Sequence, residues 1–356
     1  MRRALFVLVV SLLAVLGLAG PVRASTAVAA SCGATLTTDA YLAGDLSCPA
    51  GDGLTLGDGV TLDLRGFRLT GPGRESTAVG VKHLTESASI TVRNGRIQGW
   101  GVGLGGPHDP EFTATVHGVT FAGNGTGLFA KSARANVHRS RFVDNSTGLV
   151  LEFASSATVT GSVFARNDQA AQNDDGQLTI TDSRLTDNPT GVFCGSGCTI
   201  TRTTLRYGTT ALTGNMEVVD SVIANYERGI VAAGDFPLSD LATVTRTRFT
   251  GNGTAAAVEA RGRLIVRASV FRDNIIGFTT LPRIDEVYVL LDGNRFTRNG
   301  DGILSTVPGV ELKANTAIRN IGWGINAPGA IDLGGNTARG NGRSPQCVGV
   351  TCARAA

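Results

Sequence analysis

A residue pattern that recurs mostly every 21 or 22 positions constrains this chain more than any other feature. Its marker is asparagine, at Asn124, Asn145, Asn167, Asn188, Asn225, Asn252, Asn274, Asn299, Asn320 and Asn341. Between Asn188 and Asn225 the spacing accommodates two short repeats, with Gly208 standing where an asparagine would be. Three positions before the marker comes Phe121, Phe142, Phe164, Phe249, Phe271 or Phe296, with Leu185 in the same place. Three positions after it comes Gly127, Gly148, Gly191, Gly277 or Gly302, then an apolar residue. A period of this length marks a solenoid, in which one repeat cannot bury its own apolar face and stacking completes the core.

Each repeat holds runs of three to five residues that alternate apolar and polar, as from Gly148 to Phe153 and from Ala157 to Gly161, and such runs form short strands. The 48 glycines would be costly in helices. Strands of this length at a fixed period wind into a coil, each pairing in parallel with its equivalent one turn on, about 4.8 Å away. The sequence therefore predicts an all-β, right-handed parallel β-helix of roughly 11 to 13 coils with capped ends. Phenylalanines would stack inside it, and asparagines would form a turn ladder whose side-chain amides hydrogen-bond to the coils above and below, asparagine also tolerating the left-handed backbone of a sharp turn. Trp100 takes the asparagine place in an early coil, beside Gly103. The sequons at Asn124, Asn145 and Asn252 read better as ladder turns than as glycosylation sites. A leucine-rich repeat would need a dense leucine consensus, and a propeller would repeat near 40 residues.

The expected division is 1–24 as a signal peptide, 25–52 as an N-terminal cap, 53–341 as the β-helix, and 342–356 as a C-terminal cap and tail. Met1-Arg2-Arg3 precedes an apolar run to Gly20, and Val22-Arg23-Ala24 offers a cleavage site. Such a leader sends the chain out of the cytoplasm, with no stable membrane anchor after cleavage. The formal charge of +3 includes Arg2, Arg3 and Arg23 of that leader, so the mature chain is near neutral and nothing points to nucleic acid. The six cysteines form three sequence-local couples, Cys32 with Cys48, Cys194 with Cys198, and Cys347 with Cys352. In an exported chain these suggest structural disulfides, two of them pinning the ends. Cys194 and Cys198 also have the alternative of a metal or redox pair.

The entry, Cys32 to Cys48 followed by Gly53-Leu54-Thr55-Leu56 and Val60 to Gly71, and the exit, Gly334 to Gly342 with Gln346-Cys347, resemble the pectate-lyase-like superfamily of right-handed β-helices, particularly its NosD-like carbohydrate-binding repeat proteins. The resemblance implies the fold and a bias towards polysaccharide. It does not imply catalysis, because the fold hosts lyases, hydrolases, epimerases and proteins of no known reaction. The hydrolase set is missing except for an isolated Asp174-Asp175, and Gly106-Pro107-His108-Asp109-Pro110 has the wrong order for the epimerase element.

Residues one period apart become neighbours on one face, which yields two candidate surface rows. Lys131, Glu152 and Asp174, with Asp175 adjoining, would point outward on three successive coils. If the chain is an enzyme, this is its catalytic patch, with Glu152, Asp174 and Asp175 holding calcium or sugar and Lys131 as base; the alternative is a solvated ladder of charges. Arg93, His117 and His138 form a second row suited to substrate binding, continued by Thr160, Thr181 and Thr201. With Thr158, Thr179 and Thr199 these make Thr-x-Thr pairs that break at Glu217-Val218-Val219 and resume at Thr243. The leading functional expectation is an exported protein that binds polysaccharide or cell-envelope glycan without catalysis. A lyase or epimerase of uronate-containing glycans is the alternative, and an ice-binding or structural surface protein a minor one.

Overall fold

The computed structural model describes residues 28–105, 111–233, 241–259, 262–281 and 288–353. The expected signal peptide and the segment Gly106 to Pro110 lie outside them. Among the described residues there is no helix, and the strands form a parallel β-solenoid of about 13 turns.

One coil shows the local logic. Thr126–Lys131 lies on a first face, Arg134–His138 on a second and Arg141–Val143 on a third. Each pairs in parallel with its counterpart in the next coil: Thr147–Glu152, Ser155–Thr160 and Val163–Ala165. Alternation turns Leu128, Val137 and Phe142 inward, where they are fully buried. Burial at about 25 cal/mol per Å² of apolar surface drives the winding, and the repeat fixes register because a one-residue slip would turn each strand inside out.

The phenylalanines stack as expected. Ring centroids are 5.0 Å apart for Phe121 on Phe142 and 4.5 Å for Phe142 on Phe164. Phe249, Phe271 and Phe296 repeat the stack at 4.6 and 4.5 Å. Leu185, Leu205 and Ile223 fill the same row between the two stacks.

The asparagine ladder forms with the expected amide hydrogen bonds between coils, but the asparagine is not the left-handed residue of its turn. The left-handed residue of each turn is the one before the asparagine, such as Asp144, Arg166 or Asp273. The asparagine itself points inward. Asn145 donates through both its main-chain N–H and its Nδ2 to Asn167 Oδ1, at 3.1 and 2.9 Å, and through Nδ2 to the Phe121 carbonyl of the preceding coil. The side chain thus satisfies buried main-chain groups that a turn leaves over. The sequon residues Asn124, Asn145 and Asn252 are buried rungs of this ladder. Trp100 is a rung as predicted, its N–H donating to Asn124 Oδ1 and its indole Nε1 to the Leu69 carbonyl.

Asn225 is not a rung. It is exposed in the left-handed conformation, and Tyr226 follows it inward, 2% exposed, its N–H donating to Asn252 Oδ1. Gly208 is the preceding rung, paired in register with Tyr226.

A second polar ladder follows the next turn. Ser140 N–H donates to Ser162 Oγ, Ser162 to Ser183, Ser183 to Thr203, Thr203 to Ser221, and so on through Thr247 and Ser269 to Asn294. Asn315 and Asn336 complete it. Spacing along it falls to 20 and then 18 residues where the coils shorten.

All three expected disulfides are present, with Cys32–Cys48 and Cys347–Cys352 near the two ends. Cys194–Cys198 is buried within one coil, joining the first face to the second. At the C-terminal end Gln346 Oε1 accepts from both nitrogens of Asn341, replacing the missing next asparagine.

Candidate functional site

The first-face row forms largely as the period predicts. Lys131 pairs in register with Glu152, and Asp174 follows on the next coil, its N–H donating to the Leu151 carbonyl. Three of these side chains make contacts outside the row. Lys131 Nζ lies 4.9 Å above the exposed ring of Phe153, a cation–π arrangement. Asp174 accepts from Gln172 Nε2 at 3.0 and 2.8 Å, while Asp175 Oδ1 accepts from Ser196 Oγ at 3.3 Å. Among the described residues no three His, Cys, Asp or Glu side chains group to hold a metal.

The second-face row is continuous. Asp63 pairs with Arg93, Arg93 with His117, His117 with His138, and His138 with Thr160. Thr181 and Thr201 continue it, and Thr158, Thr179 and Thr199 run parallel two positions back. The break falls as expected, with Glu217 and Val219 in those rows before Thr243 and Thr245 resume them. Arg93 is committed elsewhere: its Nε lies 2.9 Å from Asp63 Oδ2. Partial burial works against ionisation of Asp63, but the Arg65 N–H, the Asn94 amide and Arg93 outweigh it and hold the carboxyl below the usual range. A small cleft of about 220 Å³ opens beside this pair, between Tyr41 and Thr61.

A feature absent from the sequence reading lies on the third face. A groove of about 650 Å³ is lined by Arg248, Arg272, Arg295, Arg298, Arg319 and Arg339, with Val270, Thr297, Ile318 and Gly340 between them. It crosses five successive coils, since Arg248 pairs with Val270 and Val270 with Arg295, while Arg272, Thr297, Ile318 and Arg339 form the next row. Asp273 stands beside it, bridging Arg298 bidentately at 2.8 Å and Arg272 at 3.1 Å. The Arg298 fork holds the Asp273 carboxyl below its ordinary range. Among the described residues the other four arginines form no ion pair. Counting positions relative to each asparagine would have found the cluster, at four before (Arg248, Arg295), two before (Arg272, Arg339) and one before (Arg298, Arg319).

With fold and surfaces defined, the class is plain: this is a right-handed parallel β-helix. The family model described as the right handed beta helix region matches residues 79–235, in keeping with the pectate-lyase-like resemblance. No curated protein matches. Among solved structures the periplasmic alginate epimerase AlgG is similar at 12% identity, covering 86% of this chain and 75% of that one, with a TM-score of 0.45. The tailspike protein of E. coli bacteriophage HK620, as a double mutant in complex with a pentasaccharide, is similar at 10% identity, over 86% of this chain and 61% of that one, with a TM-score of 0.42. The A-module of the Azotobacter vinelandii mannuronan C-5 epimerase AlgE4 is similar at 13%, over 84% and 83%, with a TM-score of 0.33. Likeness at this level says nothing of what this chain binds.

Proposed function

We propose that this chain is an exported β-helix protein that binds polysaccharide or cell-envelope glycan along its outer faces without catalysing a reaction on it. The observation that carries the reading is the in-register second face. His117 pairs in register with His138, and the Thr158/Thr160, Thr179/Thr181 and Thr199/Thr201 pairs repeat coil by coil. Hydrogen-bonding groups repeated about 4.8 Å apart suit successive units of an extended sugar chain. Three disulfides support export to an oxidising compartment. The carboxylates nearest to a catalytic arrangement, Asp174 and Asp175, are occupied by Gln172 and Ser196 rather than by a proton-transfer partner.

The test is a glycan array on the mature protein beside an absorbance assay for unsaturated uronate products. The triple variant His138→Ala, Thr179→Val, Thr181→Val should lose retention on at least one glycan that the wild type binds, with its thermal midpoint within a few degrees. Turnover by the wild type would replace this reading with the lyase or epimerase one.

A further inference from the structure

The arginine groove on the third face has no counterpart in the first-face or second-face rows. The chain without its expected leader is close to neutral, yet six guanidinium groups gather in one concave stretch with no acid among the residues that line it. Asp273 neutralises part of that charge from the margin, through Arg298 and Arg272. Arg248, Arg295, Arg319 and Arg339 are exposed and unpaired among the described residues. Guanidinium groups on neighbouring coils repel one another, and a bound anion relieves what Asp273, water and salt leave of that repulsion.

From this geometry we infer that the groove is a binding site for an anionic carbohydrate polymer, one carrying carboxylate, sulfate or phosphodiester groups at regular intervals. The inference rests on the glycan-binding reading and adds to it a location and a charge class. Three features select the ligand. The planar guanidinium fork matches an oxyanion bidentately. The groove runs along the rod for roughly 19 Å between its first and last coils, at about 4.8 Å per coil, so it suits an extended chain better than a single small anion. No aromatic side chain lines it, so it lacks the stacking platforms on which single-stranded nucleic acid depends. Val270, Ile318 and Thr297 line the groove between the charges and offer an apolar surface to the carbon faces of sugar rings.

The experiment compares the wild type with Arg295→Gln/Arg319→Gln and with Arg295→Lys/Arg319→Lys. Each is titrated with polygalacturonate, dextran sulfate, a teichoic-type polyphosphodiester, neutral dextran and single-stranded oligothymidylate, at low and high salt. The expected result is at least a tenfold loss of affinity for one acidic polymer in the Gln variant. The Lys variant should retain part of the binding, neutral dextran should be unaffected, and wild-type binding should weaken as salt rises. Whichever acidic polymer binds most tightly identifies the oxyanion. Unchanged affinity for acidic polymers in the Gln variant overturns the site, as does a wild type that retains only neutral glycans; both leave the broader glycan reading standing. A wild type that retains no glycan removes both. Oligothymidylate bound as tightly as any glycan, and lost in the same variant, overturns the carbohydrate assignment. Should the Gln variant not fold, a Lys variant with unchanged affinity and salt dependence overturns the site by itself.

Discussion

Gly208 and Tyr226 are complementary rungs: a methyl group at Gly208 would lie 2.5 Å from Cε1 of the Tyr226 ring and 2.2 Å from the Asn188 carbonyl oxygen. The ring takes the room an asparagine would otherwise need. Gly208→Ala should therefore destabilise the protein by about 1–3 kcal/mol, as overpacked cores do, seen as a lower urea midpoint. The Tyr226 hydroxyl is buried without a partner among the described residues, and burial pushes its pKa well above the ordinary value. Tyr226→Phe should consequently be neutral or stabilising. A large loss of stability in the Phe variant would show that the hydroxyl has a partner after all.

Asn167 Oδ1 accepts two hydrogen bonds from Asn145, and its Nδ2 donates to the Phe142 carbonyl and to Asn188 Oδ1. Asn167→Leu preserves approximate volume but strands a buried N–H, at about 1–3 kcal/mol for each unsatisfied group. A fall of roughly 3 kcal/mol or more in unfolding free energy is expected, against less than about 0.5 kcal/mol for a surface change such as Thr179→Val. Equal effects would mean that packing alone holds the coil.

Bidentate pairs link successive coils on the outside. The Arg202 fork holds Asp182 below the usual carboxylate range, and the Arg246 fork does the same for Asp220. A depressed native pKa stabilises the fold above the unfolded value, and that contribution is lost as pH falls through the native one. Stability should thus be level above about pH 4 and decline below it. The double variant Asp182→Asn/Asp220→Asn should flatten that decline, measured as thermal midpoint against pH. An unchanged acid limb would rule out these pairs as its cause.

Substituting Glu152 and Asp174 together by Ala should leave the thermal midpoint within a few degrees, since exposed charge contacts contribute about 0.2–1 kcal/mol. Glycan retention should also persist, because the surfaces proposed to bind lie on other faces. A sharp loss of retention would move the binding surface to the first face.

The fold was legible because Phe142, Phe164 and their asparagines repeat as identical letters at constant spacing. Legibility failed where chemistry is conserved but letters are not. Ser162, Thr203 and Asn294 perform the same acceptor role in the second ladder, so no single residue type marks it. Asn225 was mistaken for a rung because the coils around it shorten, and spacing there cannot separate it from Tyr226. The arginine groove stayed hidden for a third reason. Its residues come from three offsets of the repeat, and the small net charge of the chain as a whole, +3, masks a local cluster.

The stacked phenylalanines stop at Phe164 and resume at Phe249, and no asparagine rung stands between Asn188 and Asn252. The buried Cys194–Cys198 bridge lies in that same interval. That interval is held instead by strand pairing, the Leu185, Leu205 and Ile223 row, the serine and threonine ladder and the outer pairs of Arg202 with Asp182 and Arg246 with Asp220. Reducing the bridge should therefore lower hydrogen-exchange protection first in these coils, where neither stacked rings nor asparagine rungs stand behind the strands.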